Sequence, residues 1–185
     1  LNPSEKQYLQ TLKLNKVEII YPGINTINVS PKSTNPVNSL NYFLYIAQIH
    51  PRKNWRATVM AWKRFQQTHI SSTKFVIAGF GEPDEMSEFK KLIYADDSIE
   101  FIGEIWEPDK FQVIRDARWG VLFSHSEGLP TTLLEMLDLG VPVLCSEYCN
   151  LEKFPGISSV AEFVNSQTDE DSILKLFISA DLMSE

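Results

Sequence analysis

The 185-residue sequence has few of the residues that form disulfides or bind metal ions. It has two cysteines, Cys145 and Cys149, and three histidines. The cysteine spacing matches neither a C-x-x-C redox motif nor half of a zinc site, so we expect two reduced thiols, as in a cytosolic protein. The histidines lack the spacing of metal ligands, and we predict no metal site and no resident cofactor.

Long apolar runs are also absent. No run approaches the ~20 residues that a membrane-spanning helix needs. The first residues show no basic segment followed by an apolar one, so we expect no signal peptide. These features predict a cytoplasmic protein without a membrane span. The chain starts with Leu1 and not Met, from which we expect a fragment of a longer protein.

Positive charge is scarce. Seventeen Lys and Arg stand against 24 Asp and Glu, for a net charge of −7. This balance argues against a nucleic-acid binder, but it is compatible with a small anionic ligand held by a few local cations. The chain is 43% hydrophobic and 22% charged, which is typical of a globular domain and excludes a disordered chain. A chain of this length can bury its core without disulfides or metal ions.

Apolar, β-prone runs alternate with stretches of helical periodicity. The predicted strands are continuous apolar runs, as in strands buried on both faces, and they are Lys16–Ile20, Tyr42–Ala47, Lys74–Ala78, Ile99–Ile102, Trp119–Phe123 and Val141–Cys145. The predicted helices are Asn54–Gln67, Glu85–Ala95, Pro108–Ala117, Thr131–Leu139 and a last helix that begins after Thr168. This repetition predicts an α/β fold with a Rossmann-like, doubly wound parallel sheet.

One segment breaks the alternation. Ser30–Leu40 is rich in Pro, Ser, Thr and Asn and has no apolar periodicity, which is typical of a linker. We therefore expect residues 1–29 to be the tail of another domain and residues 41–185 to form the Rossmann-like domain.

Polar residues collect where the predicted strands end. Ligands of open α/β sheets bind beyond the carboxyl ends of the strands. Charged, polar or glycine-rich turns follow the strands of the domain at Gln48–Asn54, Gly79–Glu82, Gly103–Glu104, Ser124–Pro130 and Ser146–Glu147. The sequence therefore predicts a site at this edge of the sheet.

The segment Ser126–Glu135 leads from a buried strand into a helix. Gly128 allows a ligand to approach the backbone, and the amides that open the helix favour an anion such as phosphate. Glu127 and Glu135 flank that position and suit vicinal hydroxyl groups. The alternative, which spacing alone leaves open, is that Glu127 is a helix-start carboxylate and Glu135 a solvated surface residue.

Arg52 and Lys53 supply positive charge after the strand Tyr42–Ala47. A planar guanidinium and an ammonium both suit phosphate. The alternative is an exposed basic turn in which Lys53 helps to start a helix. Their place at the carboxyl end of a strand makes the two interpretations about equal.

These segments together resemble a known family. Glu127–Glu135, followed by Leu139–Val143, resembles the Glu-x7-Glu signature of the retaining glycosyltransferases of family 4, which have the two-Rossmann GT-B architecture. Four further segments resemble the family's "PNGID", "VGxLxPRKN", "LVIAGxG" and "VxFLG" motifs in the correct order: Tyr21–Asn25, Tyr45–Asn54, Phe75–Gly81 and Ile99–Gly103. The resemblance extends over about Val17–Asp171.

The resemblance implies the C-terminal half of a glycosyltransferase that binds a UDP- or GDP-sugar and transfers the sugar with retention and without a metal ion. The acceptor would be presented by an N-terminal domain, which we expect to be missing. The chain also stops short of the family's closing helix, and we expect this fragment alone to be inactive.

The resemblance also implies roles for single residues. Glu135 would hold the ribose hydroxyls, Glu127 would contact the transferred sugar, and Lys53 would bind the pyrophosphate. Further donor contacts would come from Gly128, Leu129, Pro130, Thr131 and Thr132, while the base and ribose would be bordered by Gly79, Gly81, Gly103 and Glu104. The family often has an Arg at the position of Gln48, and we expect Arg52 to replace that contact as the third catalytic residue.

Two other functions are compatible with the sequence. One is a non-catalytic module of the same fold that binds a sugar nucleotide or a protein. The other is an NAD-dependent oxidoreductase domain, which is disfavoured because Gly79-Phe-Gly81 lacks the third glycine of the dinucleotide fingerprint. Asp169–Asp171 matches an Asp-x-Asp metal motif, but we expect it to start a helix. Trp106 is a minor candidate for a base or acceptor contact.

Overall fold

The computed structural model describes residues 3–12, 35–37, 42–69, 71–151, 157–164 and 168–183. Within these ranges a six-stranded sheet has the order β3-β2-β1-β4-β5-β6, and all its pairings are parallel. The strands are β1 (Tyr42–Ile46), β2 (Phe75–Ala78), β3 (Ile99–Gly103), β4 (Ala117–Leu122), β5 (Val143–Ser146) and β6 (Ala161–Val164). The predicted Rossmann-like α/β fold is confirmed.

α-Helices of the described residues precede, connect and follow the strands. They are α1 (Pro3–Thr11), α2 (Trp55–Thr68), α3 (Pro83–Ile93), α4 (Asp109–Arg115), α5 (Thr131–Asp138) and α6 (Glu170–Leu182). The five strands and the helices predicted for the domain are present, with ends shifted by one to two residues at most positions. β6 and α1 were not predicted, and the strand predicted at Lys16–Ile20 lies outside the described residues, as do Tyr21–Asn25 and most of the predicted linker.

The strand order reverses at β1. The chain runs from β1 outward to β2 and β3, then returns to place β4 on the other side of β1, so Phe43 pairs with both Phe75 and Trp119. Open sheets of this order bind ligands in the crevice at the carboxyl ends of the two strands where the order reverses. The turns after β1 and β4 therefore border the crevice.

An aromatic cluster fills the space between the sheet and the helices α2 and α6. Trp62 of α2 and Phe177 of α6 are fully buried and lie 5.3 Å apart, ring centre to ring centre. Both also contact Phe43 of β1 and Phe75 of β2, at 5.2–5.9 Å. Rings in such tilted and edge-on arrangements contribute ~0.5–1.5 kcal/mol a pair beyond the area they bury. The prediction that the tryptophans at 55, 62 and 119 and Phe65 are core residues is confirmed.

Charged side chains hold both ends of α6. At its start, the carboxylate of Asp169 accepts a hydrogen bond of 2.8 Å from the amide of Ser172. At its end, Arg118 of β4 donates to the carbonyl oxygens of Ala180 and Asp181 and pairs with the Asp181 carboxylate at 3.0 Å. Asp169 is thus an N-cap, as expected of the Asp-x-Asp segment. Across the described part of the chain, no helix has the length and apolar character to cross a membrane.

Candidate functional site

The turn after β1 places two cations at the carboxyl edge of the sheet. Pro51–Lys53 forms a 3-10 turn in which the Nδ1 of His50 accepts a hydrogen bond of 3.1 Å from the amide of Arg52. Asn54 ends the turn with a φ of 52°, and α2 starts after it. Asn can adopt this left-handed conformation at little cost. The short turn fixes the backbone of both cations, and the Arg52 side chain is exposed to solvent.

Lys53 reaches across the crevice to the loop after β4. Its ammonium forms an ion pair with Oε1 of Glu127, and the two side chains are only 15% and 8% exposed. Ser124, the second residue after β4, donates a hydrogen bond of 2.6 Å to the same carboxylate oxygen. Both bonds fall on Oε1 and fix the direction in which the Glu127 carboxylate points.

The loop after β5 holds the backbone of Glu127. The amide of Glu127 donates to the carbonyl oxygen of Tyr148 at 3.0 Å, and the Asn150 side chain donates to the carbonyl oxygen of Glu127 at 2.8 Å. Below them, the Ser146 hydroxyl donates to the carbonyl oxygen of Ser124 at 2.6 Å. The loops after β4 and β5 therefore act as one support for the carboxylate.

His125 ties this support to the rest of the edge. Its amide donates to the carbonyl oxygen of Arg52 at 2.8 Å, and its Nδ1 lies 3.1 Å from the hydroxyl of Thr168. The main-chain carbonyl oxygen of Thr168 also accepts a hydrogen bond of 2.8 Å from the side chain of Asn54. His125 thus has a structural partner, and among the described residues no three His, Cys, Asp or Glu side chains converge on a position for a metal ion.

Two buried groups beneath the edge have shifted acidity. Burial raises the pKa of the Tyr45 phenol far above its ordinary value, and the negative charge of Glu127 adds to the effect. Tyr45 is therefore a neutral hydrogen-bond donor, and it contacts the carbonyl oxygen of Gln48 at 3.3 Å. A hydrogen bond with Cys145 lowers the pKa of the Cys149 thiol, opposed by burial. Both cysteines are buried, and neither forms a disulfide.

Glu135 has a cation partner of its own. Oε1 of Glu135, on the second turn of α5, lies 2.9 Å from the ammonium of Lys110 on α4, and the side chains are 16% and 19% exposed. The other oxygen, Oε2, is buried and accepts no hydrogen bond from the described residues. α5 lies close to β4 because Gly120 has no side chain, and a Cβ there would clash with Met136 of α5.

The start of α5 is open. Leu129 and Pro130 lead into the helix, Pro130 provides no side-chain cap, and the amides of Thr131 and Thr132 begin the first turn beside the exposed Gly128. A Cβ at Gly128 would meet nothing within 4 Å. The open space in front of this first turn is compatible with a bound anion, and anion binding there stays a prediction.

Backbone packing explains why Gly79 and Gly81, after β2, are glycines. A Cβ at Gly79 would clash with the carbonyl oxygen of Ala47, and a Cβ at Gly81 with that of Ile49. The segments after β1 and β2 run side by side there, with hydrogen bonds from Ala47 to Ala78 and from Ile49 to Phe80. Contact of Gly79 and Gly81 with base or ribose stays a prediction. So does that of Gly103 and the exposed Glu104, which lie at the end of β3.

The structure therefore brings Lys53 and Glu127 together and places Arg52 next to them. It gives Glu135 a separate partner, Lys110, that was not predicted. The roles of Ser124 and Asn150 in holding Glu127 were not predicted either. Ser124 could have been found, because a polar residue directly after a buried strand indicates a contact at the carboxyl edge of the sheet. Trp106 lies in the loop after β3 with 70% of its side chain exposed.

Comparison with known proteins adds family information. The model of a family described as glycosyl transferases group 1 matches residues 27–175. The O-antigen chain mannosyltransferase B of Escherichia coli is 28% identical over 134 residues, which cover 71% of this chain and 34% of that protein. The chain thus spans about a third of the length of this curated relative.

Solved structures share the fold. The C-terminal domain of LpcC, a glycosyl transferase group 1 family protein of Francisella tularensis, matches with a TM-score of 0.67 at 18% identity and covers 88% of this chain and 89% of that one. Trehalose-6-phosphate synthase OtsA matches with a TM-score of 0.67 at 10% identity, over 78% of this chain and 36% of that one. At these identities the likeness establishes the architecture.

Proposed function

Because this chain belongs to the glycosyl transferases group 1 family, we propose that its sheet edge binds a UDP- or GDP-sugar and serves as the donor site for retaining, metal-independent hexosyl transfer. The fold is that of the C-terminal domain of a GT-B glycosyltransferase. The observation that carries the proposal is a pair of carboxylates, Glu127 and Glu135, each held by a lysine through one oxygen, on either side of the open start of α5.

Glu135 is assigned to the ribose hydroxyls. Its Oε2 is buried and has no hydrogen-bond donor among the described residues. A buried carboxylate oxygen without a donor is costly, and a bound hydroxyl group removes that cost. Two adjacent ribose hydroxyls match the acceptor capacity of one carboxylate.

Lys53, Arg52 and the amides of α5 are assigned to the pyrophosphate, and Glu127 to the transferred sugar. The difficult step is the departure of the nucleoside diphosphate from the anomeric carbon, as negative charge develops on the phosphate oxygens. Fixed cations and helix-start amides stabilise that charge, and loss of one such donor costs ~3–4 kcal/mol of barrier in comparable oxyanion sites. Arg52 provides a positive charge that the neutral side chain of Gln48 does not.

The relatives support hexosyl transfer in particular. The E. coli relative is a mannosyltransferase by name, and matched structures include trehalose-phosphate synthases described as UDP-forming. We propose that the acceptor is bound by a further domain of the whole protein, since this chain spans about a third of the curated relative. The whole enzyme, and not this chain alone, would then complete the transfer.

Calorimetric titration of the 185-residue chain with UDP, GDP and NAD tests the donor site. We expect UDP or GDP to bind and NAD not to bind. E135Q should weaken the nucleoside diphosphate by about tenfold or more, the value of a hydrogen bond to a charged group. D181N is the matched control, because Asp181 is a half-buried carboxylate paired with Arg118 away from the site. NAD binding, or equal affinity in E135Q and D181N, would overturn the assignment.

A further inference from the structure

Lys110 is the unpredicted neighbour of the site. It lies in the first turn of α4, after β3, and its ammonium is 2.9 Å from Oε1 of Glu135. Glu107, its other carboxylate neighbour, is 3.9 Å away and 65% exposed. The Glu135 pair is shorter and better shielded from water, so it determines where the Lys110 ammonium lies.

The pair controls the direction of the Glu135 carboxylate. One oxygen, Oε1, is occupied by Lys110, and the other, Oε2, is buried without a donor from the described residues. A carboxylate held by one oxygen cannot rotate to satisfy the other, so Oε2 is fixed as the acceptor for an incoming group. Fixing a group in its bound geometry removes ordering costs from binding.

We infer that Lys110 is a positioning residue for the nucleotide: it holds Glu135 so that Oε2 receives a ribose hydroxyl, and it makes no phosphate contact itself. This inference rests on the proposed donor site. It predicts that Lys110 discriminates a ribose from a sugar without hydroxyl groups, which a lysine bound to pyrophosphate would not do. It also predicts that Lys110 has no effect once Glu135 cannot be held as a carboxylate.

The test compares four nucleotides on the wild-type chain and five variants. UDP and GDP, and their 2′,3′-dideoxy forms, are titrated by calorimetry into the wild-type chain, K110M, K110R, E135Q, the double variant K110M/E135Q and K63M. K63M is the matched control, because Lys63 is a half-buried lysine 3.6 Å from Asp96 outside the site. Thermal midpoints are measured for every variant, and K110Q replaces K110M if K110M does not fold.

The expected results are specific. K110M weakens the ribonucleotide by about tenfold and leaves the dideoxy form within about twofold of wild type. K110R restores the ribonucleotide affinity, K63M matches wild type, and K110M/E135Q binds no more weakly than E135Q.

Two results would overturn the inference alone: unchanged ribonucleotide affinity in K110M, or an equal loss for both forms, which would indicate a direct phosphate contact or a general structural role. Failure of the wild-type chain to bind any nucleoside diphosphate is a different outcome. It would overturn the proposed donor site, and this inference would fall with it.

Discussion

The ammonium of Lys53 and Oε1 of Glu127 form an ion pair between residues 74 positions apart in the sequence. One follows β1 and the other follows β4, and the strands meet because the order of the sheet reverses there. The parallel sheet thus converts two distant turns into one charged site. The contribution of the ion pair to the free energy of unfolding can be measured without any ligand.

K53M and E127Q should both destabilise the fold. Both side chains are largely buried, so removing the ammonium leaves a shielded carboxylate whose remaining hydrogen-bond donor among the described residues is Ser124. We expect a loss of about 2 kcal/mol in the free energy of unfolding for K53M, and a smaller one for E127Q, which keeps an acceptor. Urea denaturation gives both values. A double variant whose loss equals the sum of the two single losses would contradict the coupling.

R52A tests the proposal that Arg52 replaces the cation absent at Gln48. Arg52 is exposed and its backbone is held by His125, so its removal should leave the fold intact and remove one charge-assisted phosphate contact. We expect nucleoside diphosphate affinity to fall about five- to tenfold, less so at high salt because exposed charges are screened. R115A, an exposed arginine at the end of α4, is the control. Equal affinity in the two variants would refute the role of Arg52.

Two glycine substitutions distinguish Gly79, which backbone packing requires, from Gly128, which faces open space. G79A places a methyl group against the carbonyl oxygen of Ala47, where backbone meets backbone. We expect the free energy of unfolding to fall by about 2–3 kcal/mol. G128A meets nothing within 4 Å and should change stability by less than about 1 kcal/mol.

G128A also tests where the ligand lies. G128A narrows the space before α5 and should weaken nucleoside diphosphate binding, although its thermal midpoint stays near that of wild type. Normal binding by G128A would show that the open start of α5 is not where the ligand lies.

The N-cap of α6 makes an acid-sensitive contribution to stability. Hydrogen bonds from Ser172 hold the pKa of Asp169 below its usual range. The contribution is present above the unfolded-state pKa of about 3.9 and is lost as pH falls through the lower folded-state pKa. D169A should therefore lower the urea midpoint at pH 7, on the order of a few tenths molar, and the difference should shrink at pH 3. D169N, which can still cap, should stay close to wild type at pH 7. A difference between D169A and wild type that is constant from pH 7 to pH 3 would contradict this assignment.

Much of the fold follows from the sequence because continuous apolar runs mark strands buried on both faces. β6 escaped prediction because Ala161–Val164 is short and includes Glu162, so it has no apolar run. The strand identities, together with the rule for parallel sheets, were enough to place Lys53 and Glu127 at one edge.

The partners of the two carboxylates were harder to foresee. Lys110 lies off the apolar stripe formed by Phe111 and Ile114, so its sequence position alone suggests a solvated surface residue. Its contact with Glu135 depends on how α4 and α5 pack, which no local pattern encodes. For Gly79 and Gly81 the family resemblance predicts a border of the base and ribose, and the structure adds that the close approach of two backbone segments requires glycine at both positions.

The reversal of strand order also governs when the site comes into existence during folding. Phe43 of β1 pairs with Phe75 of β2 and with Trp119 of β4, so the second pairing closes a much longer stretch of chain than the first and carries the larger loop-closure cost. The Lys53–Glu127 contact joins the segments after these two strands and therefore depends on the pairing of β4 with β1. In a refolding chain, nucleotide affinity is therefore expected to appear no earlier than the pairing of β4 with β1.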